Sequence, residues 1–515
     1  MSIQAERPLG ARHFHGFGDV PGELEADACI IGSGASGAVA ADALRDCGWS
    51  VIMVEEGSLL RRDVSQEEVD DASPAAEVRG EQGWEDKGWP WSTRNVGGGT
   101  LFYGGASFRF PDCDFDASSW LPGHGLEVAW PIGPADLAPY YELIERRIGV
   151  SGGRPDEPAG GRGSPLPMTL PAERMSAAAK RLGYAPFPTP VAVNGGACNL
   201  EKRCIDYQCP NGAKGDVVRV YLKKLADDPD FLLLSGIRGV ALEQDTADRA
   251  AALRCLDLAS GVTRRVRARH FFVAGNAIQS AALLLRSVTP FAPEGIGNRH
   301  DLVGRGLCMK LSQYVRGMTE VPPDADRHPV GLRGPFSTLA ILDHYLDAGC
   351  PTGMGGLIYE ARSLTLPPGP VRQLPMELET IIADTPSYHN RVRLSGNRDA
   401  WGMPKIVIDY RVDPVDLARL AYMAGRCERI LREAGVDEVK SKRARSEHGS
   451  THLHGTCRSG TDPARSVLDP HCRVHDLENV HVVDGSFMPF PGGLNPTLTI
   501  QANALRVALH VAGAC

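Results

Sequence analysis

Long apolar runs are missing from this 515-residue chain. No stretch reaches the roughly 18 apolar residues of a membrane span, and Met1 to Pro21 carries scattered charges and histidines instead of the apolar core of a secretory signal. The expectation is a soluble, cytoplasmic protein with no membrane partner. An excess of positive charge is missing as well: 55 Lys and Arg against 63 Asp and Glu give a net charge of −8. That balance argues against a nucleic-acid partner and permits a cationic ligand. The 13 cysteines are an odd number, and Cys29 and Cys308 lie in apolar runs that suit small buried thiols, which argues against a disulfide framework. There is no internal repeat. What the chain has in quantity is glycine (58) and proline (38), above the average of roughly 7% and 5%. Together with recurring apolar runs this predicts an ordered, loop-rich fold, and the length predicts two or three domains.

The first motif lies near the start. Ala26 to Ile31 reads as a short buried strand, Gly32-Ser33-Gly34-Ala35-Ser36-Gly37 as a turn, Ala38 to Cys47 as a helix, and Val51 to Val54 as a second strand ending at Glu55. This is the order of a dinucleotide-binding unit. Gly32 permits the tight turn, Gly34 lets a pyrophosphate approach the backbone, Gly37 lets helix and strand pack closely, and the helix N-terminus faces the phosphates, with Ser36 in its first turn. Glu55 can accept hydrogen bonds from a ribose, and Glu56 reads as its solvated neighbour. The fingerprint alone does not separate NAD from FAD.

Further segments favour FAD. Arg94-Asn95-Val96-Gly97-Gly98-Gly99-Thr100 is a second glycine cluster whose bare backbone could lie against a ring or a pyrophosphate. Phe271 to Ser280 looks like a strand that turns through Ala274 and Gly275 into the helix Ala281 to Arg286. Val480-His481-Val482-Val483-Asp484-Gly485 is another strand ending in an acid. Several separated loops on one ligand suit a long, extended dinucleotide. Near the C-terminus, Thr451-His452-Leu453-His454-Gly455-Thr456 offers an imidazole that can take a proton, and Gly492-Gly493-Leu494-Asn495-Pro496-Thr497 offers an amide that can hold an alcohol oxygen.

On these segments the chain resembles the glucose-methanol-choline (GMC) family of FAD-dependent oxidoreductases, over about Asp27 to Arg109, Phe271 to Leu311, and Arg393 to the end. The resemblance implies a mixed α/β fold. A discontinuous Rossmann-like FAD-binding domain (24–150, 200–312 and 440–515) would carry a sheet-based substrate-binding domain (313–439 with part of 151–199). It makes His452 the base and Asn495 its partner, with Asp484, Gly485 and the backbone of Asn495, Pro496 and Thr497 among the flavin contacts. His454 ranks second, because residues two apart on an extended segment share a face. The Asn-Pro-Thr-Leu-Thr form is most similar to pyranose oxidases and their bacterial relatives. Where those enzymes attach FAD through a histidine, this chain has Phe102, which implies dissociable FAD. Lys310 stands where family members often carry histidine.

Cys198, Cys204 and Cys209-Pro210 have the short spacing of iron–sulfur ligands, and some sugar dehydrogenases of the family hold such a cluster in a comparable region. The alternative is a Cys-rich loop with free thiols. From Tyr314 to about Asp384 the pattern is irregular and reads as substrate-facing. Arg391 to Ser395 and Ile406 to Tyr410 read as paired strands, and Pro414 to Ala434 as a helix returning towards the FAD domain. The function expected is oxidation of an alcohol of a sugar, aminosugar or polyol, for example the primary hydroxyl of an aminoglycoside-type substrate, with oxygen or another electron acceptor. Alternatives are a flavin-retaining lyase of the hydroxynitrile lyase type and an iron–sulfur-assisted sugar dehydrogenase.

Overall fold

Cys29, Ile30 and Ile31 are buried on both faces of their strand, as an unbroken apolar run in a parallel sheet requires. The computed structural model describes residues 8–18, 20, 22–65, 68, 76–80, 83–87, 93–157, 160–200, 205, 208–323, 325, 328, 335–362, 373–443 and 452–514. Its larger sheet is built from β1 (His13–His15), β2 (Leu24–Ile31), β3 (Val51–Glu55), β4 (Phe231–Ser235), β5 (Ile237–Thr246), β6 (Arg249–Asp257) and β7 (Thr263–Val273). They lie in the order β1-β4-β3-β2-β7-β6-β5. The pairs from β1 to β7 are parallel, and β5 and β6 form an antiparallel extension.

The end of β7 explains how distant stretches of chain share one site. Phe271, Phe272 and Val273 pair with Cys29, Ile30 and Ile31 on one side and with Val480–Val482 on the other, all in parallel. The strands β2, β3, β7 and Val480–Val482 therefore end at one edge of the sheet, where Gly32, Glu55, Ala274 and Asp484 follow them. Ligands of such sheets bind at that edge. Helix α1 (Ala35–Asp46) covers the sheet with a row of buried alanines and packs against the C-terminal helix Thr497–Val511.

The stretch read as irregular is a regular antiparallel sheet. It comprises β8 (Leu311–Glu320), β9 (Ala340–Ile341), β10 (Gly356–Glu360), β11 (Gln373–Ile382) and β12 (Lys440–Arg443), ordered β9-β10-β11-β8-β12. In β11, Leu374, Met376, Leu378 and Ile382 join Leu311, Val315 and Ile358 on one face. That face packs on helices Leu170–Arg181 and Pro414–Glu433. Glu377, Glu379 and Ile381 alternate onto the other face, with Tyr314, Leu357 and Tyr359 as cross-strand neighbours. Helix Pro414–Glu433 starts as expected, with Asp413 accepting from Val415 N at 2.8 Å and Pro414 in the first turn. It covers this second sheet and does not return to the first, because its apolar stripe of Leu420, Met423, Cys427 and Ile430 belongs to the core of the second sheet. The strands Arg391–Arg398 and Pro404–Asp409 pair as the sequence suggests. Among the described residues no helix is long and apolar enough to cross a membrane.

Candidate active site

The two glycine turns face each other across a cleft at the edge of the parallel sheet. Gly32 has φ +107°, and a Cβ there would lie 2.4 Å from the Ala274 carbonyl oxygen. A Cβ on Gly37 would lie 2.0 Å from the Gly32 oxygen, so helix and turn touch backbone to backbone. Gly34 differs: a Cβ there would meet nothing within 4 Å, although Gly98 approaches its Cα. Gly34 also heads α1 with no side-chain cap and no acid in the first turn, which leaves backbone N–H donors open towards the cleft. Open donors, bare backbone and reserved space fit the pyrophosphate of a dinucleotide.

Ser33 ties the turns together. Its N–H and hydroxyl donate to Glu55 Oε2 at 2.9 and 2.7 Å, and its Oγ accepts from Gly97 N at 3.0 Å. Gly57 N donates to Glu55 Oε1 at 2.8 Å. Burial pushes the Glu55 carboxyl upward, and these donors act against it. Thr100 closes the second turn, donating to the Gly97 carbonyl at 2.7 Å. Gly34, Ser36, Glu55, Gly98, Gly99, Thr100, Ala274, Asp484, Gly485, Pro496 and Thr497 all border the cleft, whereas Gly37 and Gly97 support it from behind. Asp484 is held by Ser280 and Ser486. Glu56 is no solvated neighbour. It pairs with Arg94 at 2.6 Å and Arg238 at 2.8 Å. Burial opposes its ionisation, but the two guanidinium groups outweigh burial and hold the carboxyl below its usual range. Local sequence could not show this, because Arg238 comes from β5.

At the C-terminal wall His452 Nε2 lies 3.4 Å from Asn495 Nδ2. His452 is half-buried and opens on the cleft. Burial, with the charge of Lys310 adding to it, pushes its imidazole down to about 3. The ring is therefore neutral at ordinary pH and able to accept a proton. His454 does not share that face. Its backbone pairs with Cys308, its ring is enclosed beside Gly485, and neither ring nitrogen has a hydrogen-bond partner among the described residues.

The two residues before Asn495 are fastened from both sides. Gly493 N donates to Tyr345 Oη at 2.7 Å, and Tyr345 donates to Asp114 at 2.6 and 2.7 Å. Lys310 Nζ donates to the Leu494 carbonyl. Lys310 is fully buried with φ +51°, a left-handed conformation fixed by Asp384, which accepts from Met309 N and Lys310 N. Burial pushes the lysine down and Asp114 up, while their mutual attraction opposes both shifts. The Asn495 amide also acts on the phenol of Tyr359, lowering its pKa against burial, and the Tyr359 hydroxyl donates to Glu379 Oε2 at 2.6 Å. Neither Tyr359 nor Glu379 belongs to a motif. The signal that could have found them is the alternation of Leu374, Met376 and Leu378 with Pro375, Glu377 and Glu379.

Cys198 and Cys209 pack against Leu166, Val191, Val193 and Ala213. Cys209 Sγ donates to Asn211 Oδ1 at 2.8 Å, and burial pushes the Cys198 thiol up. Cys204 lies outside the described residues, among which no group of three or more His, Cys, Asp or Glu side chains could hold a metal ion.

The sequence patterns of the GMC oxidoreductase N-terminal and C-terminal regions match residues 26–312 and 386–504. Two relatives align along 98% of this chain: 6'''-hydroxyparomomycin C oxidase of Streptomyces lividus, 53% identical over 94% of its length, and paromamine 6'-oxidase of Streptomyces fradiae, 52% identical over 95%. The crystal structure of pyridoxine 4-oxidase from Mesorbium loti shares the fold at a TM-score of 0.66 and 19% identity, covering 94% of this chain and 98% of that one. Motif order, cleft and likeness along the whole chain agree: the chain belongs to the GMC oxidoreductase family, and its cofactor is FAD.

Proposed function

We propose that this protein oxidises the primary hydroxyl of an aminoglycoside-type aminosugar to the aldehyde, with FAD held noncovalently. The observation that carries the reading is the His452 imidazole, which lines the cleft that would cradle the dinucleotide and lies 3.4 Å from the Asn495 amide. The two relatives named as oxidases of paromamine and of 6'''-hydroxyparomomycin C supply the substrate class. FAD, when bound, supplies the two-electron acceptor for the hydride from the carbinol carbon. His452 Nε2 takes the hydroxyl proton, and Asn495 donates to the same oxygen and orients the carbon-bound hydrogen. The alcohol thus loses one proton to the chain and one hydride to the cofactor. Phe102, buried with Leu60, Val64 and Leu101, offers no atom for a covalent flavin link. Oxygen as the final acceptor and a cytoplasmic location complete the proposal.

Anaerobic mixing tests it. Paromamine should bleach the flavin bands, and denaturation should release the flavin into the soluble fraction. Flavin that no aminosugar bleaches would overturn the reading and favour a lyase that keeps its flavin for structure.

Lys310 bears on the same step by holding the Leu494 carbonyl, and so the backbone that presents Asn495. Lys310→Met should keep its flavin but lose about 10- to 100-fold in kcat, the scale expected when a catalytic group is misplaced by about 1 Å. Steady-state kinetics should show the fall in kcat more than in KM. Lys310→Arg, which restores a donor, should recover part of it.

A further inference from the structure

We infer that Glu379 is the subsite for a substrate ammonium group, set beside the catalytic amide on the inward face of the second sheet. The inference rests on the aminosugar reading above and adds the residue that would recognise the amine. Glu379 is 5% exposed, and among the described residues no Lys, Arg or His forms an ion pair with it. A carboxylate so enclosed without a cation is costly unless a partner arrives. Tyr359 donates its hydroxyl to it at 2.6 Å, and Ser312 and Tyr314 on the same face of the sheet also favour its ionised form. Burial still pushes the carboxyl up to about 7, with Glu377 adding to the rise. A bound ammonium would supply the missing charge.

Position gives this acid a place in the reaction site. Tyr359 donates to Glu379 at 2.6 Å and feels the Asn495 amide, so the acid and the catalytic amide act on one phenol. Asn495 is itself 9% exposed, and its carboxamide oxygen has no partner among the described residues. An acceptor without a donor and an acid without a cation among the described residues, set about one phenol, fit a ligand that brings donors and positive charge, as an aminosugar does and a neutral sugar does not. The chain's net charge of −8 favours the approach of such a cation.

The test compares paromamine with its N-acetylated form in anaerobic stopped-flow, on wild type, Glu379→Gln and Glu379→Asp, all with flavin bound. Glutamine keeps the shape and removes the charge. Wild type should prefer paromamine, and Glu379→Gln should weaken its apparent Kd about 100-fold, within the range for removing one member of a buried charged pair, with a smaller change in the limiting reduction rate. The preference over the N-acetylated form should collapse in Glu379→Gln and persist in Glu379→Asp. Equal losses for both substrates, with the preference intact, would overturn the inference and leave Glu379 as a support for Tyr359. If Glu379→Gln loses its flavin, Glu379→Ala takes its place, and a preference for paromamine as large as that of wild type overturns the inference. Wild type reduced only by neutral sugars would overturn the aminosugar reading itself, which is a different result.

Discussion

His452→Ala is expected to leave a folded, yellow protein that its substrate no longer bleaches. The imidazole opens on the cleft near Asn495, whereas the two glycine turns are tied to each other through Ser33 and Glu55, so its loss leaves the dinucleotide cradle standing. What disappears is the acceptor for the hydroxyl proton. General-base catalysis is worth about 10²- to 10⁴-fold, so the anaerobic reduction rate should fall about 10³-fold at unchanged flavin content. The pH dependence sharpens the test. With its pKa pushed down to about 3 by burial and by Lys310, His452 holds no proton above that value and gains one only as the pH falls through it. The wild-type reduction rate should therefore show no histidine limb between pH 5 and 9. A limb near 6.5 that vanishes in His452→Ala would mean that the ring ionises as a solvated histidine does. An unchanged rate in His452→Ala would move the base elsewhere, and His454 offers little, because its ring is enclosed behind Gly485.

The parts of this site that are legible in the sequence are those fixed by local chemistry. A turn that needs Gly32 and Gly37, a strand that ends at Glu55, and an Asn-Pro-Thr at a helix start are dictated within a few residues, so pattern alone finds them. The rest depends on which distant strands meet. Glu56 looks exposed until β5 brings Arg238 to it. Glu379 is one acid among many until β8 and β10 place Tyr314 and Tyr359 across from it. The alternation in β11 is present, but its polar face is buried too, so it lacks the clean solvent-facing character that marks an ordinary one-sided strand. His454 misleads for the reverse reason: the extended-segment rule looks only along the chain, whereas the distant Cys308 takes the His454 backbone and Gly485 closes over its ring.

The largest expected effect on the cofactor comes from one methyl group, and the two glycines of the first turn should respond to it differently. A Cβ on Gly34 meets no protein atom within 4 Å, and the residue has φ −71°, which alanine adopts freely. Gly34→Ala should therefore fold with the melting temperature of the flavin-free wild type. The same methyl takes up part of the open cleft that Gly34 borders at the head of α1. The variant should purify colourless, with FAD affinity down at least about 100-fold, because close approach of a pyrophosphate to this helix terminus needs a bare backbone. Gly37→Ala places its methyl 2.0 Å from the Gly32 oxygen, so α1 must move off the sheet. It should lose flavin and also melt several degrees below flavin-free wild type, the cost of overpacking a buried backbone contact. Absorbance at the flavin bands and calorimetry of the flavin-free proteins separate the two effects. A yellow Gly34→Ala would mean that the dinucleotide does not use this turn, whereas a colourless, normally stable Gly34→Ala beside a destabilised Gly37→Ala assigns one glycine to the ligand and the other to the fold.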